Sequence, residues 1–100
     1  MDLLEQLMQA GFTFRNFPTY PRHLGVEKNN CIALLELNAE GQWKQFSSPG
    51  YLLDGQIALL VEREGKPRFV YKKKQVLAEG TILENFLRFQ RELRSLLEQQ

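Results

Sequence analysis

The chain has 100 residues, 43% of them hydrophobic and 25% charged, with a net charge of +1. That is enough for one domain with a modest core, so residues 1–100 read as a single α+β domain. The near-neutral balance argues against a dedicated nucleic-acid binder, no apolar run reaches the ~20 residues that cross a bilayer, and a lone cysteine, Cys31, excludes an internal disulfide.

The opening Met1-Asp2-Leu3-Leu4-Glu5 lacks the basic segment of a secretory signal. With a single thiol this gives the expectation of a cytoplasmic setting and no membrane contact. Charge is unevenly spread. Residues 1–65 hold five Lys/Arg against eight Asp/Glu, a balance of −3, whereas residues 66–100 hold eight against four, a balance of +4. Such asymmetry creates a one-signed face when the residues converge in space.

Asp2 followed by Glu5 has capping-box spacing, and Leu3, Leu4, Leu7 and Met8 share one helical face before Gly11. A helix that short requires a docking partner. Phe12 and Phe14 alternate as in a brief strand. Pro18 and Pro21 then interrupt, and from Pro18 to Asn30 no clean period is visible. Long connections of this kind are disproportionately functional. This one carries Tyr20, Arg22 and the only histidine, His23, which together form a candidate loop site; the structural alternative is a proline-stiffened arm packed over the core.

Cys31 to Leu37 is almost continuously apolar and reads as a strand covered on both faces. Asn38-Ala39-Glu40-Gly41 is a hairpin connection into an aromatic strand over Gln42 to Phe46. After Ser47-Ser48-Pro49-Gly50, a short apolar piece, Tyr51-Leu52-Leu53, ends at Asp54-Gly55. Gln56 to Glu62 is a second almost continuously apolar strand, and Glu64-Gly65 turns it into a basic strand over Lys66 to Gln75. Ile32-Ala33-Leu34-Leu35 recurs as Ile57-Ala58-Leu59-Leu60, each followed by a Glu-Gly turn and a strand carrying Trp43 or Phe69. Two copies do not make a solenoid.

Thr81 with Glu84 predicts a capped start for a long final helix. Ile82, Phe86, Phe89, Leu93, Leu96 and Leu97 form its stripe, and Leu83 and Leu87 widen it over the first turns. So wide a stripe needs a second partner besides a sheet; the simplest is the leucine face of the first helix. The expected fold is an antiparallel β-meander of four to five strands flanked by a short N-terminal and a long C-terminal helix, with a small β-barrel bearing terminal helices as the alternative.

For function, the expectation is not an enzyme. No Walker, dinucleotide or calcium-loop motif is present, the Cys/His clusters of a zinc site are missing, and no cofactor is expected. A Cys–His nucleophile requires the arm to fold His23 back on Cys31. The leading reading is a small, non-catalytic protein-interaction domain, either a subunit whose partner is another protein or a domain that self-associates as a homodimer. The alternative is a nucleic-acid-binding module using the basic strand 66–75, where Arg68, Lys72, Lys73 and Lys74 beside Tyr71 and Trp43 form the candidate interaction surface. Strand lysines also protect sheet edges from aggregation, which is a structural reason for the same residues.

Overall fold

The computed structural model describes residues 2–100 and has an α+β architecture. In chain order the elements are α1 (Leu3–Gln9), β1 (Thr13–Arg15), β2 (Leu24–Lys28), β3 (Cys31–Leu37), β4 (Trp43–Gln45), β5 (Gly50–Leu53), β6 (Gln56–Arg63), β7 (Lys66–Tyr71), β8 (Lys74–Leu77) and α2 (Gly80–Glu98). The antiparallel meander is present, but with eight strands rather than four to five. Seven follow the order β1-β2-β3-β5-β6-β7-β8, and β4 pairs with the far half of β3. The path begins at β1 and ends at β8, so the sheet is open and the barrel alternative does not hold.

The additional strands have identifiable origins. β2 lies inside the stretch that shows no period, because Gly25 interrupts its apolar pattern. Asn29 and Asn30 both take positive φ in the two-residue turn to β3. The basic strand divides in two: Tyr71 pairs with Lys74, leaving Lys72, with φ of 54°, and Lys73 at a hairpin tip. Glu64 likewise takes positive φ beside Gly65 in the β6–β7 turn.

Register assigns two faces. Val26, Cys31, Ala33, Leu35, Ala58 and Phe69 point to the side where α1 and α2 lie, and join Leu3, Leu7, Phe12, Phe86, Phe89 and Leu93 in one buried core. Phe69 meets Phe86 edge-on at 4.9 Å and stacks on Tyr51 at 5.1 Å. Phe89 packs against Phe12 at 5.5 Å. On the opposite face Ile32, Leu34 and Leu52 are also buried. There the absence of a side chain at Gly25 lets Phe17 lie against the sheet, since a Cβ would stand 2.7 Å from its ring and 2.6 Å from the Arg15 carbonyl oxygen.

The two helices meet differently from the sequence expectation. Asp2 caps α1 by accepting from the Glu5 amide at 2.9 Å. α2 begins at Gly80 after Glu79, without a side-chain cap, so the Thr81–Glu84 box is not formed as a cap. Leu3 and Leu4 border a cleft with Gln99 and Gln100, and Ala10 borders Glu92 and Leu96. α1 therefore covers the second half of α2, not the widened first half, and Leu87 is left 47% exposed. Lys28 locks this arrangement: its ammonium donates to the Ala10 carbonyl oxygen at 2.7 Å and to Glu92 Oε2 at 2.7 Å, and lies 5.3 Å from the Phe12 ring centre.

Phe89 is 2% exposed where α2, α1 and the sheet converge. Phe89→Ala is expected to cost about 3–5 kcal/mol through lost burial and an unfilled cavity. Urea unfolding measures this, and a loss below about 1 kcal/mol contradicts a core role.

Candidate interaction edge and the other sequence-derived sites

The loop residues assemble in part. His23 continues the β2 register opposite Glu36, with Nε2 3.5 Å from Glu36 Oε2, and Glu36 also pairs with Lys44 at 3.3 Å. The imidazole lies 3.9 Å from the Phe46 ring, and Tyr20 stands edge-on to both rings. His23 Nδ1 is buried without a hydrogen-bond partner among the described residues. Arg22 is exposed and takes no part in this stack. The arm is thus chiefly packing: Tyr20, His23 and Phe46 cover the sheet face opposite the helices.

Parity also separates His23 from Cys31. Cys31 faces the helices, and His23 lies on the other side of the sheet, so no Cys–His pair forms. The Cys31 thiol is wholly buried, 3.6 Å from the Asn29 carbonyl oxygen, and burial pushes its pKa from 9.0 up to about 11. No cluster of three or more metal-binding side chains occurs among the described residues.

The basic residues come together in part. Lys72 sits over the Tyr71 ring at 5.3 Å, and Lys73 shares the hairpin tip. Lys74 is drawn to Asp54 in the neighbouring turn. Arg68 points to the face opposite the helices and pairs weakly with Glu64 at 4.0 Å. Trp43 is remote in the topology: β4 pairs only with β3, and the Trp43 backbone is held by the Gln100 side chain, which accepts from its amide at 2.8 Å and donates to its carbonyl oxygen at 2.6 Å. Tyr71, Lys72, Lys73 and Lys74 nevertheless line one pocket of about 300 Å³ at the β7–β8 tip, whereas Arg68 lies on the opposite face and Trp43 belongs to the terminal helix contact, not to a platform with Tyr71.

The exposed apolar feature lies elsewhere, on β6. β5 pairs with Gln56, Ile57 and Ala58 only, so Leu59–Arg63 has a strand neighbour on the β7 side alone. The Arg63–Lys66 pair closes a two-residue turn, and antiparallel alternation then directs the backbone N–H and C=O groups of Leu60 and Glu62 away from β7, to the unpaired edge. Leu59, Leu60 and Val61 are 50%, 40% and 37% exposed, on both faces of the strand. With Ser48, Pro49, Phe86 and Gln90 they line a groove of about 350 Å³. Gln90 continues it onto the α2 surface that bears Leu87, Arg91 and Arg94. In the sequence this run is as apolar as β3, and nothing in it marks Leu59, Leu60 and Val61 as exposed; that follows from the early end of β5. Among the described residues no helix is long and apolar enough to cross a membrane. Comparison with protein-family models, with curated proteins and with solved structures finds no match.

The raised Cys31 pKa carries a sign. Between pH 9 and about 11 the unfolded thiol ionises while the folded one keeps its proton, so the folded state binds more protons and stability falls as pH rises through that window. Urea unfolding at pH 8 and pH 10.5 should show wild type losing more stability than Cys31→Ala, by up to about 1.4 kcal/mol per pH unit. Equal losses would show that the thiol titrates normally.

Proposed function

We propose that the protein is a small, non-catalytic interaction domain, acting in the cytoplasm through the free edge of β6. The observation that carries the reading is the exposure of Leu59, Leu60 and Val61 beside backbone groups that no strand of the described residues pairs. Strand addition to such an edge supplies backbone hydrogen bonds, and flanking apolar side chains supply the remaining affinity. Large apolar side chains clustered at one edge mark contact sites more often than isolated exposed ones do. A free, buried thiol that is kept protonated suits a reducing compartment. The nucleic-acid reading has less support, because Lys74 is engaged by Asp54 and Arg68 faces away from the Tyr71–Lys72 pair.

Amide hydrogen exchange tests the edge directly. An eight-residue peptide of alternating valine and threonine, added in excess, should slow exchange at Leu60 and Glu62 and leave the tip residue Lys73 unaffected. A copy of the peptide N-methylated on the alternate residues that face the edge should give no protection. Unchanged exchange at Leu60 and Glu62 with the first peptide would remove β6 as a docking edge.

A further inference from the structure

Resting on the docking reading, we infer that the occupant of the β6 edge is a second copy of the same chain, paired antiparallel about a two-fold axis through Val61. One register engages the outward-directed backbone groups of both Leu60 and Glu62 in each copy without displacing β5. Leu60 and Glu62 face the edge, and Ala58 is already engaged by Tyr51. Pairing Leu60 with the second copy's Glu62 satisfies both and sets Val61 against its own equivalent. A register centred on Leu60 brings Glu62 against Ala58, where β5 lies.

Side-chain chemistry fits the same register. On the face away from the helices Leu59 meets the aliphatic stem of Arg63, and Val61 meets Val61, so the exposed apolar residues cover one another. On the helix face the carboxylate of Glu62 enters the groove beside Leu60, Phe86 and Gln90, next to the α2 surface that carries Arg91 and Arg94. The exposed acid of each copy thereby approaches the basic helix of the other, and Leu87 is brought under the added strand. A two-fold contact satisfies both edges in one step. A partner strand of net positive charge would instead set its cations against those arginines.

Light scattering of the full chain across roughly 10 μM to 1 mM, the range of a contact below standard interface size, should show mass rising from 11.7 kDa toward twice that value. Val61→Cys should then form an intermolecular disulfide on air oxidation, because the two-fold places it against itself in a pair with Cα atoms about 4.5 Å apart. Leu60→Cys, opposite Glu62, should not, and wild type, with its thiol buried, is the control. A dimer that Leu60→Cys crosslinks and Val61→Cys does not, or one that neither crosslinks, would overturn this register and with it the inference. A monomer at every concentration would overturn self-pairing itself. The peptide experiment then separates the two levels: protection of Leu60 and Glu62 in a monomeric protein leaves the docking edge standing without the second copy, and absence of protection removes both.

Discussion

The contact on which the rest depends is the stripe of Phe86, Phe89 and Leu93 laid on one face of the sheet. α1, at seven residues, is too short to persist alone and is held because Phe12 and its leucines close over the second half of that stripe. Lys28 follows from the same contact, its ammonium half-buried between the end of α1 and Glu92. But α2 has 19 residues, a rise of about 28 Å, in a molecule whose longest extent is 43 Å. With α1 spent on its C-terminal half, the cover ends before the sheet does, and what remains uncovered is the far part of β6 with Leu87.

The repeated tetrapeptide makes the consequence visible as an internal comparison. Ala33 and Ala58 occupy equivalent, fully buried positions under the helices. Leu35 is wholly buried and Leu60 is 40% exposed; Leu34 is buried and Leu59 is 50% exposed. The chemistry of the two segments is the same, so composition does not account for the difference. The first copy has strands along both edges, helices on one face and the Phe17–His23 arm on the other. The second has one edge neighbour beyond Ala58 and no arm.

What the sequence disclosed follows the same physics. β3 and α2 were legible because each is buried in a regular pattern along its length: seven apolar-rich residues for the strand, a 3.6-residue period for the helix. β2 was not, since Gly25 serves to admit Phe17 and so erases the alternation that would have marked the strand. The β7–β8 turn was hidden for another reason: Lys72 takes positive φ without being Gly, Asn or Asp, so no turn residue signals the break. That turn gathers Lys72, Lys73 and Lys74 with Tyr71 at a hairpin tip, apart from Arg68 and Trp43. The β6 edge was hidden most deeply, because whether an apolar strand is covered depends on where its neighbours stop, and β5 pairs with β6 only as far as Ala58.

The sheet's other margins sharpen the meaning of that edge. β1 is only three residues long and carries Arg15. β4 is equally short, bears Lys44, and has its outer backbone occupied by the Gln100 amide. β8 presents Lys74 and Gln75. These are the usual protections of an edge against uncontrolled pairing: brevity, charge and cover. Leu59-Leu60-Val61 has none of them before Glu62 and Arg63. A strand left in that state on a free monomer would recruit any compatible edge, whereas an antiparallel two-fold pairing consumes the edge on both copies and leaves nothing for a third. The acid at position 62 suits that closed arrangement better than an open one: in the Val61-centred register it points at the basic helix, and a slip of two residues sets it against its own equivalent, so the charge that permits the dimer also penalises its nearest competitor.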